Sequence, residues 1–188
     1  MRRIIVGISG ASGAAYGIRA LELLKRLGGF ETHLVMSSAA ARTIAEETTL
    51  SAHDVEALAD VVHSHKDIGC SIASGSFKTE GMLVAPCSVK TLAGIAHGLT
   101  DDLLSRAADV QLKERRRVVL LFRETPLHAG HIDLMAQATK NGAILMPPVP
   151  AFYGRPQSLD DVVTQTVGRA LDLFGIDAGV VKRWTGQG

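Results

Sequence analysis

Three stretches of the chain combine small residues with hydroxyls in a pattern that suits a bound anion. The first is Gly7-Ile-Ser-Gly10-Ala-Ser12-Gly13, which follows an apolar run and leads straight into a helical pattern. Residues this small let backbone N–H groups approach a phosphate, and a helix N-terminus adds positive potential. The spacing is neither G-x-G-x-x-G nor a Walker A loop, because no Lys-Ser/Thr pair follows. Tight packing of a strand–helix turn is the competing account. The second stretch, Pro86-Cys87-Ser88-Val89-Lys90-Thr91, also joins an apolar run to a helix, so Ser88 and Thr91 can both face a ligand from its first turn. The third is Ser37-Ser38, again after an apolar run. If the runs are parallel strands, all three junctions share the carboxyl edge where open α/β sheets bind ligands, and the expected occupant is a nucleotide or flavin.

Charged residues add chemistry to that edge. Arg106 and Lys113 are two helical turns apart and share one face, a pair of cations that suits an anionic substrate or, alternatively, a solvated surface. Arg123-Glu124-Thr125-Pro126 follows a further apolar run, so a cation and a carboxylate emerge together there. Glu124 is a candidate acid/base, with structural pairing to an arginine as the alternative. Arg115-Arg116-Arg117 reads as a solvated loop. His53, His63 and His65 lack partners at metal-ligand spacing, and His128 with His131 reads as surface capping at a helix start. Cys87 reads as a small packing residue rather than a reactive thiol. Trp184 reads as an anchor for the tail, or for a neighbouring subunit, and the short polar tail after it as mobile.

These groups need a scaffold, and the apolar runs supply one. Ile4–Ile8, His33–Met36, Met82–Ala85, Val118–Phe122 and Ala143–Met146 do not alternate with polar residues, so each reads as a strand buried on both faces, as in parallel sheets. Between them lie helical patterns: Tyr16 to Leu27, ended by Gly28-Gly29; Ala40 to Glu47; Ser51 towards Val61; Ser88 to His97; Leu103 to Lys113; Ile132 to Asn141; and Ser158 to Phe174. Ser158-Leu-Asp-Asp161 has capping-box spacing with Asp in place of Glu. Ser64–Phe77 is the one long connection without periodicity, a length that is often functional. Pro147-Pro-Val-Pro150 excludes a helix or central strand. The alternation predicts a single α/β domain spanning residues 1–188, a doubly wound, three-layer parallel sheet of Rossmann or flavodoxin type.

Composition narrows the function classes. With 188 residues, 20 Lys+Arg and 19 Asp+Glu, the chain can bury a sizeable core yet lacks the cationic excess of a phosphate-neutralising nucleic-acid protein. Five Phe, two Tyr and one Trp are too few for base-stacking platforms. Two cysteines cannot build a disulfide framework. No run has the length of a membrane span and no secretory apolar region follows the N-terminus, so the expected location is the cytoplasm.

Read together and in order, Gly10-Ala-Ser-Gly13, Ala73-Ser-Gly-Ser76, Pro86-Cys-Ser88, Arg106-Ala-Ala-Asp-Val110, Leu112-Lys-Glu114, Arg123-Glu-Thr-Pro126 and Ala151-Phe-Tyr153 resemble the UbiX-like flavin prenyltransferases, formerly described as aromatic or phenolic acid decarboxylase subunits. The resemblance covers nearly the whole chain. It implies FMN as the flavin, a dimethylallyl phosphate donor used without metal, a homododecamer with active sites at subunit contacts, and a product, prenylated FMN, that serves a UbiD-like decarboxylase. By motif, Gly10, Ala11, Ser12, Ser37, Ser88, Val89, Lys90, Thr91 and Arg123 would hold FMN. Ser74, Gly75, Arg106, Lys113, Glu124, Tyr153 and Arg169 would meet the prenyl phosphate. The implied chemistry joins the dimethylallyl group to reduced FMN at N5 and then C6, with Glu124, Ser12 and Lys113 as the catalytic groups. A phosphate leaving a developing carbocation needs several positive groups around it, which agrees with that set.

One departure from the family pattern stands out. Some members carry an aromatic just before the Ala-Ser-Gly-Ser segment, where its π face can stabilise a cation. This chain has Asp67-Ile-Gly-Cys-Ser-Ile72 there. Related activities predict other features. A flavin-dependent cysteine decarboxylase would carry Pro-Ala-Ser-Ala-Asn-Thr and a catalytic histidine, and an electron-transfer flavodoxin an acidic surface. A flavin carrier or accessory subunit would bind FMN without changing it.

Overall fold

Successive residues of the first apolar run enter two different cores, and this decides the architecture. Ile4, Val6 and Ile8 pack on one face of the sheet while Ile5 packs on the other, all four fully buried. The structure is a computed structural model in which residues 1–186 are described; Gln187 and Gly188, the end of the expected mobile tail, lie outside them. The run forms β1 (Arg2–Ile8), followed by α1 (Ala14–Leu27), β2 (Phe30–Met36), α2 (Ala40–Glu47), α3 (Ala52–Glu56), β3 (Val61–His63) and β4 (Gly81–Cys87). The second half runs α4 (Val89–His97), α5 (Leu103–Lys113), β5 (Arg117–Phe122), α6 (Ala129–Lys140), β6 (Ile144–Leu145) and α7 (Leu159–Asp172).

All pairings are parallel and the strand order is β3-β2-β1-β4-β5-β6. This is the doubly wound, three-layer arrangement of Rossmann or flavodoxin type expected from the apolar runs, with the Rossmann strand order. One face is covered by α1, α2 and α7, where Leu21, Leu24, Ile44, Val167 and Leu171 close the first core. The other is covered by α4, α5 and α6, where Leu92, Leu103, Leu104 and Ala138 close the second. Order reverses between β1 and β4, which opens a crevice at their carboxyl ends. Ser9, fully buried, ties that point together. Its hydroxyl donates to the Pro86 carbonyl at 2.8 Å and accepts from the Ser88 N–H at 2.8 Å.

Local signals behave as their chemistry predicts. The Ser158–Asp161 capping box is present, each partner bonding the other's backbone N–H at 3.1 Å. The helix expected from Ser51 towards Val61 stops at Glu56, because the chain turns there and enters a three-residue edge strand, β3, that the sequence pattern had merged with it. The expected Ala143–Met146 strand shortens to two residues at the opposite edge. Cys87 is buried, and burial pushes its thiol far above the ordinary range, as befits a packing residue. Cys70, partly buried at the start of a 3-10 turn over Ser71–Ala73, is raised by burial to a lesser degree.

Candidate active site

The crevice between β1 and β4 is a cavity of about 750 Å³, a volume suited to a cofactor-sized ligand. Four strand ends build its floor. Gly10, Ala11 and Ser12 follow β1; Ser37, Ser38 and Ala39 follow β2; Ser88 to Thr91 follow β4; Arg123 and Glu124 follow β5. All nine residues expected at the flavin line it, and so does Glu124.

Each strand end presents backbone or hydroxyl groups for a physical reason. Gly10 passes so close to α2 that any side chain there would collide with Ala39, so only glycine lets the two loops meet. The Ser37 hydroxyl is buried and has no protein partner, a polar group for a ligand to satisfy. At α4 the Ser88 hydroxyl caps the Thr91 N–H at 3.3 Å, while the first-turn N–H groups of Val89 and Lys90 lie beyond the reach of the helix's own carbonyls. Lys66, Lys90 and Arg123 line the cavity without forming an ion pair among the described residues. Glycine cradle, orphan hydroxyl, open helix turn and free cations together fit a phosphate-bearing flavin.

The α1 terminus is engaged differently from what the Gly-rich loop alone predicts. Gly13 caps this helix in the left-handed region, at φ 100°, and the Glu47 carboxylate of α2 accepts from the N–H groups of Gly13 at 2.8 Å and Ala14 at 3.1 Å. Burial raises the Glu47 carboxyl, but bonds from the Ser12 hydroxyl and those two N–H groups, together with the Arg123 charge, outweigh it and leave the group below its usual range. The terminus therefore already carries a carboxylate, and that carboxylate also holds the Ser12 hydroxyl. Tyr16 is raised by its burial, with Arg123 opposing. Glu47 was not evident from sequence because it lies far from the Gly-rich loop along the chain. His65, weighed in the sequence only as a metal ligand, also lines the cavity, as do Lys66, Asp101 and Asp102, which were not singled out. The usable signals were the aperiodic Ser64–Phe77 stretch for the first two and helix capping for Asp102, whose side chain accepts from the Ser105 N–H at 2.8 Å.

Glu124 is not paired with an arginine among the described residues; its carboxylate accepts from the Thr125 N–H at 2.9 Å and is solvent-exposed. The other residues expected at the donor fall into two groups. Ser74, Gly75, Arg106 and Lys113 converge beside α5. Arg106 reaches the Ala73 carbonyl at 3.5 Å and pairs with Asp109 at 2.8 Å. A side chain on Gly75 would collide with the Lys113 ammonium and the Glu114 carboxylate, which are themselves ion-paired. Tyr153 and Arg169 lie elsewhere. Tyr153, in the 3-10 turn Phe152–Gly154, stands edge-on to Trp184 at 5.9 Å, and Arg169 on α7 pairs with Asp172 at 2.5 Å. Helix α7 covers the opposite face of the sheet from α5, so one chain does not unite these two groups.

One expectation outside the site changes. Arg116 is no solvated residue: its side chain is only 16% exposed and bonds loop carbonyls. The run of three arginines had hidden it. His128 caps α6 as expected, accepting from the Gly130 N–H at 3.0 Å. Among the described residues no helix is long and apolar enough to cross a membrane.

Known proteins resemble the chain along its whole length. The Flavoprotein family model matches residues 1–171. The flavin prenyltransferase UbiX of Escherichia coli is 61% identical over 188 residues, covering 99% of this chain and 100% of that protein. The crystal structure of AnUbiX (PadA1) in complex with FMN and dimethylallyl pyrophosphate superposes with a TM-score of 0.97 at 52% identity, covering 100% of this chain and 99% of that one. A dodecameric FMN-dependent UbiX-like decarboxylase from Escherichia coli superposes with a TM-score of 0.96 at 49% identity, covering 98% and 100%. The chain belongs to the UbiX flavin prenyltransferases of the flavoprotein family.

Proposed function

We propose that this protein transfers a dimethylallyl group from dimethylallyl phosphate to reduced FMN, giving prenylated FMN. The observation that carries this reading is the convergence of Gly10, Ala11, Ser12, Ser37, Ser88 to Thr91 and Arg123 on one cavity in a chain 61% identical to a flavin prenyltransferase. The bound flavin supplies the nucleophilic N5 and C6 positions to which the five-carbon unit is joined. The residues of this chain do the rest. Gly10 and Ala11 admit the flavin to the strand ends, and Ser37 with the α4 turn binds its polar groups. Ser12, steadied by Glu47, orients the reacting edge.

On the donor side the allylic C–O bond breaks and inorganic phosphate departs. Lys113 and Arg106 stabilise its growing negative charge, and Glu124 exchanges a proton with it. The separation of Tyr153 and Arg169 from that group by the full thickness of the sheet supports a homo-oligomer in which a second copy supplies them. By likeness to the dodecameric neighbour we place twelve copies in the assembly. The recipient of the product is a UbiD-like decarboxylase, and the site of action the cytoplasm.

The test is anaerobic incubation of the purified protein with reduced FMN and dimethylallyl monophosphate, followed by mass spectrometry of the extracted flavin. A gain of one five-carbon unit is expected. Unchanged flavin recovered from saturated sites would replace this reading with that of a flavin carrier.

A further inference from the structure

The segment Ser74–Phe77 has no regular secondary structure, yet two of its carbonyls are held by one side chain. Its own backbone closes a turn, with the Phe77 N–H on the Ser74 carbonyl at 3.2 Å, and the hydroxyls of Ser74 and Ser76 meet at 3.0 Å. The carbonyls of Gly75 and Phe77 then point away from the turn. Arg116 takes both: one guanidinium nitrogen donates to Gly75 at 2.7 Å and the other to Phe77 at 2.8 Å. A planar guanidinium can span two acceptors in this way, whereas a lysine ammonium is a single point of charge.

The backbone is arranged to deliver that side chain. Helix α5 ends at Lys113, and Arg115 adopts the left-handed region at φ 58°, uncommon for a residue with a Cβ. The chain thereby folds back so that the Arg116 N–H bonds the Gln111 carbonyl at 2.9 Å. Arg116 then projects along α5 towards the turn instead of into solvent. On the same side, Glu114 lies 4.0 Å from the Arg116 guanidinium and is ion-paired with Lys113. Fixing Gly75 by its carbonyl thus fixes it directly beneath the Lys113 ammonium.

We infer that Arg116 is a positioning residue for the prenyl phosphate: it clamps the Ser74–Phe77 turn by two carbonyls so that Ser74, Gly75 and Lys113 present one preformed anion site. The inference rests on the proposed assignment of those three residues to the donor phosphate. Arg116 acts through the turn, since its forked nitrogens hold the protein's own carbonyls. Losing the clamp should leave the flavin crevice alone, because Arg116 touches none of its lining.

The experiment uses Arg116→Ala, Arg116→Lys and, as a control on the donor assignment, Lys113→Ala. FMN affinity is read by fluorescence quenching, KM and kcat with dimethylallyl monophosphate, and backbone hydrogen exchange of residues 73–77 in the flavin-free protein. For Arg116→Ala the expected result is a KM about 10-fold higher or more with kcat within about 3-fold, an unchanged FMN affinity, and exchange about 10-fold faster in the turn. Arg116→Lys should fall between, since it can hold one carbonyl at a time; it serves as the test variant if the alanine variant does not fold. An unchanged KM and unchanged exchange would overturn the inference, and so would a loss of FMN affinity in step with the rise in KM. If Lys113→Ala leaves KM unaltered, the donor assignment fails instead. If Lys113→Ala raises KM and the Arg116 variants do not, only the clamp is wrong.

Discussion

The flavin crevice and the donor region are built by opposite strategies. Every expected flavin residue sits just beyond the end of a parallel strand, and the sheet alone brings those ends together within one chain. Apart from Glu124, the residues proposed for the donor come from a loop, from the middle and end of α5, and from two segments on the far face of the sheet. A strand-end site is assembled by topology; a site drawn from both faces needs a second surface to complete it. The crevice should therefore tolerate damage in the donor region, while the donor region should depend on assembly.

The sharpest way to break this contrast is Glu124→Gln, since Glu124 lines the crevice but is assigned to the donor. Turnover should fall about 1,000-fold, within the range of general acid–base groups. FMN affinity should stay within about 2-fold, because the carboxamide keeps the shape of the side chain. Turnover at the parent rate would remove Glu124 from the chemistry.

Next in size is Gly10→Val, which probes the crevice alone. The added side chain meets Ala39 and separates the loops after β1 and β2, so FMN binding should weaken about 100-fold by titration. The far-UV circular dichroism spectrum should not change, because the clash lies outside the helices and strands.

A mixing experiment then asks whether one donor site draws on two chains. Arg169→Ala and Glu124→Gln should each be inactive alone. Co-assembled in equal amounts from unfolded or co-expressed chains, they should regain roughly one quarter of parental activity, the random fraction of sites with both residues intact. No recovery would mean that Arg169 serves the same chain that carries Glu124, and an Arg169→Ala variant active alone would mean that it serves no site.

The smallest effect concerns Glu47 and the α1 terminus. Its carboxyl is held below its ordinary value of 4.5, so the stability it contributes is complete above that value and is lost as pH falls through the lower folded value. Urea midpoints of Glu47→Gln and the parent should differ at pH 6 and converge as the pH is brought below the carboxylate range. A constant difference at all pH values would show that the loss comes from packing and not from charge.

How far the sequence could be read follows from the same contrast. The strands of the central sheet were visible as unbroken apolar runs, and the strand–glycine–helix junctions followed from them. Edge strands were harder: Val61–His63 is too short to show a period and merged with the helix before it. In the site, hydroxyl and glycine clusters announce themselves locally, whereas Glu47 reaches Gly13 across a tertiary contact that no local spacing encodes. Arg116 was concealed for another reason. Three consecutive arginines look equally solvated until the left-handed turn at Arg115 selects which of them faces inward.

The unequal burial of the two thiols gives this protein a built-in handle for spectroscopy. Cys87 is sealed within the sheet and its thiol is kept protonated, so an alkylating dye has no route to it in the native state. Cys70 is partly open and opens the turn that leads into Ser74. A maleimide fluorophore added to the unmodified chain would attach at Cys70 alone. It would then report, without any engineered cysteine, on when the donor loop moves.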